Sequence, residues 1–453
     1  MVGMTPDQDI PGAGARLNSR SSTSEALEAA LVLAQELRWQ GRPDAACDAV
    51  LDAQPLIAGA EAVYKAALFI KQSRREARAF ALCEDAISRG IRAPRLLAMH
   101  GSLAQALGQF ECARKSLLAA WREGVDLNEW QVLPALAHLQ RYVDVSHPDR
   151  ELLLRALQLP GLLPKTRAAV AFALGKFYDD VDDHSAAVAA WREAHQLALS
   201  AVAWDGGKWA REVAAAKHPV GLSEDRVRLP FMPVLVVGVP RSGTTLLADR
   251  LGRHPDACNR GELPMLAYLA DQLRSTADDK VRLHAARMLA AAHLRQDDAP
   301  RAWYIDKNPL NLLVLETARA LWPEAKVIWC RRERRATALS LWAQSFAHPD
   351  YGFTHRFEDL ARVLDDCDAI FAFAREKWGA AMHVVDYEAL VEAPAITLTR
   401  IGEFLALPHA EDDLAPQTAI ATASLWQARQ AIYTRSLERW RIYLPWIPEI
   451  KGV

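Results

Sequence analysis

From about residue 24 to residue 216, apolar positions recur every three or four residues, as in Ala26, Leu27, Ala30, Leu31, Ala34 and Leu37. That period predicts a succession of amphipathic helices, each with one face turned inward. Short polar or glycine-bearing breaks interrupt it at Trp39-Gln40-Gly41-Arg42-Pro43, Gln72-Ser73-Arg74-Arg75 and Leu107-Gly108-Gln109-Phe110. Each break is followed five positions on by a small residue: Ala46, Ala79 and Ala113, spaced 33 and 34 residues apart. Ala187, behind Asp182-Asp183-His184, lies 74 residues further, close to two more periods. A period of about 34 residues built from two helices is the tetratricopeptide signature. Small residues sit where paired helices cross closely, and each pair needs its neighbours to cover its apolar face. The stretch 171–198 carries this pattern best. Elsewhere the match is degenerate, and an unspecialised helical bundle is the alternative.

The pattern changes near residue 217. Residues 217–232 hold Pro219, Gly221 and Pro230 and predict a linker. Beyond it, short β-branched runs alternate with helical stretches, which predicts a parallel α/β sheet. Strands are expected at 234–237, 303–305, 326–329 and 382–385, with long helical patterns at 263–296 and 310–321. The expected architecture is therefore a disordered N-terminus (1–23), an all-α repeat-like domain (24–216), the linker, and an α/β domain with a parallel sheet (233–453).

Composition narrows the class without naming a function. The chain has 453 residues, 51% hydrophobic and 24% charged, as in a soluble protein of two or three domains. Lys plus Arg number 54 and Asp plus Glu 56, a balance that argues against a nucleic-acid partner. No apolar run approaches the ~20 residues of a membrane span. Residues 1–24 lack the apolar stretch of a secretory signal. The six cysteines form no CxxC pair, so neither a disulfide framework nor a metal site is expected, and a cytoplasmic location is.

The candidate chemistry begins at Gly238-Val239-Pro240-Arg241-Ser242-Gly243-Thr244-Thr245, between an apolar strand and an amphipathic helix. Strand, glycine loop and helix N-terminus together aim backbone N–H groups and a positive dipole end at an anion. The spacing is that of a GxxxxGK[ST] phosphate loop, but Thr244 replaces the lysine that contacts the terminal phosphates of a nucleoside triphosphate. That replacement counts against a kinase or nucleotide hydrolase, the first alternative.

With this loop the sequence resembles the sulfotransferase family, in particular the branch similar to the tyrosylprotein sulfotransferases. The resemblance runs from about residue 233 to 443. It implies that Arg241, Ser242, Gly243, Thr244 and Thr245 hold the 5′-phosphosulfate of 3′-phosphoadenosine 5′-phosphosulfate (PAPS). The family's 3′-phosphate site, a strand-end arginine and a serine eight residues later, matches Arg332 and Ser340. A guanidinium grips phosphate bidentately and a hydroxyl adds one bond. Tyr387 matches a tyrosine that contacts the adenine, with a purely structural tyrosine as the alternative. Ser424 and Gln427 match a late loop that closes over the nucleotide, and Arg439 stands where the branch has a lysine that reaches the 3′-phosphate.

For the chemistry, the resemblance implies Glu262 as the base that deprotonates an acceptor hydroxyl. Lys307 and Arg241 are implied as the cations that stabilise the departing oxygen. Lys307 sits in Lys-Asn-Pro where the family has Lys-Asp-Pro. His254 is read as a helix-end residue and is the second choice of base. The implied activity is sulfuryl transfer from PAPS to an acceptor hydroxyl, without a metal. The acceptor is left open; a protein tyrosine presented by the repeats is one candidate, and the oligomeric state is also open. A scaffold with an inactive α/β domain is the second alternative. Because the implied phosphate contacts all lie beyond it, a fragment starting near Ser223 is expected to bind the nucleotide by itself.

Overall fold

The computed structural model describes residues 20–201, 204–218, 228–274, 280–346, 348–407 and 435–453. Twelve helices between Arg20 and Ala216 form the N-terminal array. Among the described residues six closing turns of the array repeat one geometry, at Gly41, Arg74, Gly90, Gly108, Gly124 and Asp182; those at Gly41, Arg74, Gly108 and Asp182 join the helix pairs that the sequence pattern marks. Ala46, Ala79, Ala113 and Ala187 are each fully buried at the crossings that follow these turns. Gly175 shows how close one pair packs: a Cβ there would lie 2.3 Å from the Trp191 indole nitrogen.

The C-terminal part is an α/β unit with a five-stranded sheet in the order β2-β3-β1-β4-β5. The strands are β1 (Met232–Gly238), β2 (Ala257–Asn259), β3 (Trp303–Asp306), β4 (Lys326–Arg331) and β5 (Met382–Asp386). All pairings are parallel. β1 is buried along nearly its whole length, so it reads as a continuous apolar run. Its chain leaves between β3 and β4, where the strand order reverses. In open parallel sheets the crevice at that point takes the ligand.

Four expected strands lie inside β1, β3, β4 and β5. β2 escaped the sequence because three residues give no period to read. The 263–296 pattern resolves into two helices, Met265–Arg274 and Lys280–Arg295. That at 310–321 begins as a 3₁₀ helix, Pro309–Val314. The first helix starts at Arg20, four residues before the helical reading began. Among the described residues no helix is long and apolar enough to cross a membrane.

The two faces of β1 lead into different cores. Val234 and Val236 pack with Leu247, Ile305, Ile328 and Ile401. Leu235 and Val237 belong to a second core that continues through Trp329 and Trp342 into Trp191, Phe172 and Leu117 of the helical array. Array and sheet therefore share a core. Polar contacts close the seam: Asp297 accepts from the amides of Asp44 and Ala45, and Arg192 pairs with Glu449 at 2.9 Å. This shared core is the physical reason to drop the expectation that residues from Ser223 onward stand alone.

Candidate active site

The phosphate loop follows β1. Gly238 has φ +147° and lies so close to β4 that a Cβ would come within 2.3 Å of the Cys330 carbonyl oxygen. Gly243, with φ +96°, caps the helix Thr244–Leu251; a Cβ there would meet the Tyr387 ring at 2.4 Å. Both positions need glycine for space and for backbone conformation. Gly243→Ala is therefore expected to distort the loop and weaken nucleotide binding at least tenfold, on the order of the 1–3 kcal/mol such strain costs. Calorimetric titration would measure it. Arg241 adopts a left-handed conformation without being glycine, with φ +74°. Ser242 is 1% exposed, and its hydroxyl has no hydrogen-bond partner among the described residues. A buried donor left this way calls for a ligand or water to satisfy it.

Arg241, Arg332, Ser340 and Tyr387 meet at the loop. The Arg241 Nε donates to the Ser340 hydroxyl at 3.0 Å, and Arg332 Nη1 donates to the Arg241 carbonyl at 3.1 Å. The Arg332 guanidinium lies over the Tyr387 ring, 4.6 Å from its centroid. Neighbouring cations in the same basic run turn elsewhere: Arg331 to Asp386, Arg334 to Asp365 and Asp368, Arg335 over Trp440. The run is thus divided between surface pairing and one residue aimed at the loop.

These four residues and Arg439 line a cavity of about 640 Å³ whose opposite wall is the helical array. That wall includes Trp130, His138, Arg141, Phe172, Lys176 and Trp191. The lining carries five cations, Arg141, Lys176, Arg241, Arg332 and Arg439, against two carboxylates, Asp179 and Asp180. Both carboxylates are already paired, Asp179 with Arg439 at 2.8 Å and Asp180 with Lys176 at 2.5 Å. Burial, helped by the charges of Lys176 and Arg241, pushes His138 down to about 3, so its ring is neutral. The cavity carries cations on both sides and its aromatic lining on the array side. Arg439 reaches it, but with its guanidinium committed to Asp179 and lying over Tyr443.

Glu262 and Lys307 lie one strand away and are not among the residues lining this cavity. Lys307 follows the C-terminal end of β3 and its Nζ donates to Glu262 Oε1 at 2.5 Å. The lysine side chain is 3% exposed and the glutamate 39%, so the carboxylate is the member that solvent or an acceptor can reach. Burial pushes the Lys307 ammonium below its usual range, with Glu262 pulling the other way. Asp306 beside them is pushed up to about 7 by burial, although it accepts from the Leu263 amide and the Asn311 side chain. Tyr351 stacks on Phe346 near this pair, and its phenol is pushed up by burial and then by the Glu262 charge.

His254 closes the turn after the loop helix, its Nδ1 accepting from the Asp256 amide at 3.1 Å, as a helix-end residue does. Ser424 and Gln427 lie outside the described residues. Several residues near the site gave no signal in the sequence. Asp179, Lys176 and His138 come from the array, and only the fold brings them to the loop. Arg74 also comes from the array: its Nη1 donates to the Glu262 carbonyl at 2.5 Å across 188 residues. Away from the site, Glu84, His100 and Cys112 have ligand atoms within 4.8 Å of one another, with the imidazole engaged by Ser116 at 2.8 Å.

Residues 233–412 match the model of the sulfotransferase family. A putative protein-tyrosine sulfotransferase of Caenorhabditis briggsae is 26% identical over 236 residues, covering 46% of this chain and 80% of that protein. The nodulation protein NoeE of Sinorhizobium fredii is 30% identical over 264 residues, covering 49% of this chain and 63% of that protein. An uncharacterized protein of Aquifex aeolicus is 26% identical over 322 residues, 65% of this chain. The match spans 42% of the Aquifex protein's own length.

Proposed function

We propose that this chain transfers a sulfuryl group from PAPS to an acceptor hydroxyl. The observation that carries the reading is the loop-side cluster of Arg241, Arg332 and Ser340 at the mouth of a cationic cavity, in a segment that matches the sulfotransferase family model. The donor's chemistry is an activated sulfur whose bond to the 5′-phosphate oxygen breaks as the acceptor oxygen bonds to it. The residues present fit such a donor. The unsatisfied Ser242 hydroxyl and the two glycines without room for a Cβ leave the loop suited to a close-lying anion. Arg332 and Ser340 would hold the 3′-phosphate, and the aromatic array wall would face the base.

In this reading Glu262 takes the acceptor proton, a role that needs a reachable carboxylate. Lys307, buried and close by, stabilises the charge that develops on the departing oxygen, with Arg241 on the loop side. Their low exposure matters because charge stabilisation is stronger where water is excluded. Protein tyrosine is the acceptor we test first, on the description carried by the Caenorhabditis relative. The array would then contribute by shaping the approach to the site. Label transfer from ³⁵S-PAPS to N-acetyltyrosine amide and to cell-extract proteins tests the reading. Labelled acceptor is expected; transfer from ATP in its place would favour a kinase.

Arg332→Ala should weaken binding of adenosine 3′,5′-bisphosphate by about 1.5–3 kcal/mol, the range for a hydrogen bond to a charged group. Because Arg332 also braces the Arg241 carbonyl, a smaller loss should remain for adenosine 5′-monophosphate. Calorimetry with both ligands measures the difference. Equal losses would remove Arg332 from the 3′-phosphate.

A further inference from the structure

The closing turns of the helical array make a comparison within one chain. At six of them one residue takes the left-handed conformation: Gly41, Arg74, Gly90, Gly108, Gly124 and Asp182, with φ of 77°, 59°, 79°, 79°, 77° and 61°. The amide of that residue donates to the carbonyl three positions back, and the next amide donates to the carbonyl five back. All six turns share this pattern, so the backbone requirement is the same at each. Glycine meets it without a Cβ clash, and a short aspartate is tolerated there. A long arginine is the unfavourable choice, and strain of this kind persists where the side chain has other work.

That side chain crosses to the Glu262 turn. Arg74 Nη1 donates to the Glu262 carbonyl at 2.5 Å, and its Nη2 lies 2.5 Å from where a Cβ on Gly261 would stand. The turn is held from two further directions. Asn259 Oδ1 accepts from the Gly261 amide at 2.9 Å, and the Lys307 amide donates to the Gly261 carbonyl at 2.9 Å. Arg74 is anchored in turn by its neighbour, since Arg75 pairs with Asp44 at 2.7 Å and donates to the Gln296 side chain at 2.9 Å.

We infer that Arg74 is a positioning residue for sulfuryl transfer: through the Glu262 carbonyl it fixes the carboxylate on Lys307, making the helical array an integral part of the active site. The inference rests on Glu262 being the base. A shift of about 1 Å in a positioned group can cost about a hundredfold in rate, so the effect belongs to turnover and not to nucleotide affinity.

The test uses the full chain and three variants, Arg74→Gly, Arg74→Lys and Glu262→Gln. Each is measured for label transfer from ³⁵S-PAPS to N-acetyltyrosine amide, affinity for adenosine 3′,5′-bisphosphate, and Tm. Arg74→Gly restores the residue used at four sister turns, so its Tm should equal or exceed that of the wild type. Its kcat should fall about 10–100-fold, with nucleotide affinity within about twofold. Arg74→Lys should recover part of the rate. Wild-type turnover of Arg74→Gly beside an inactive Glu262→Gln would overturn this inference and leave the base standing. Normal turnover of Glu262→Gln, or no transfer by the wild-type chain, would instead remove the reading on which it rests. A parallel fall of Tm, affinity and kcat in both Arg74 variants would reduce Arg74 to a packing contact and overturn its positioning role.

Discussion

Glu262→Gln should lower turnover by about 10²–10⁴, the usual contribution of a positioned general base. The amide keeps an oxygen to accept the Lys307 hydrogen bond, so the geometry should survive while the capacity to take a proton is lost. Affinity for adenosine 3′,5′-bisphosphate should barely change, because Glu262 lies outside the cavity lining. An acidic phenol such as 4-nitrophenol, already largely ionised at neutral to basic pH, should recover much of the loss. Lys307→Ala should behave differently. It removes the buried cation, so turnover should fall with every acceptor and the acidic phenol should recover little. Steady-state rates with both acceptors separate the two roles. Near-normal turnover of Glu262→Gln on an unactivated alcohol would remove it as base and return the search to His254, the second choice.

The second large effect concerns the array. A fragment of residues 223–453 should aggregate or fail to unfold cooperatively, and should not bind the bisphosphate. Removing the array would strip the cover from Trp329, Trp342 and Tyr443, which belong to the core shared with Trp191 and Phe172. Soluble monomers rarely expose apolar patches of more than a few hundred Å². Arg439 would also lose its Asp179 partner, and the cavity its aromatic wall. Circular dichroism melting and calorimetry on the fragment provide the check. A soluble fragment with a sharp transition and full-chain affinity would contradict the shared core.

What the sequence made legible was local. The loop 238–245 could be read because strand, glycines and helix start follow one another directly, and each leaves its own mark. Arg332 and Ser340 came into view only through the family resemblance, whose strand-end arginine and serine eight residues later they match. Close helix crossings in the array were visible at Ala46, Ala79 and Ala113, since such crossings demand small residues whatever lies outside them. The docking of the array was not visible. Its contacts join Asp179 to Arg439 across 260 residues and Arg74 to Glu262 across 188. Neither pair has a periodicity or motif, because the constraint is tertiary. Arg74 did leave one trace, an arginine in the break where four of its five sister turns have glycine. Only the left-handed backbone gives that substitution its meaning.

The proposed linker shows the opposite case. Its prolines and glycine mark a change of pattern, yet β1 begins at Met232, within the stretch assigned to it. Composition located the transition between helical and α/β character. It carried no information about whether the two sides pack together, which depends on apolar faces that each side presents separately.

The central claim is that the cationic cavity at the phosphate loop takes a nucleotide bearing a 3′-phosphate and does not take a triphosphate. Isothermal titration of the full chain with adenosine 3′,5′-bisphosphate and with ATP tests it most directly. Binding of the bisphosphate should be at least tenfold tighter than that of ATP, equivalent to about 1.4 kcal/mol, with the preference lost in Arg332→Ala. Tighter binding of ATP, or no heat with either ligand, would contradict it.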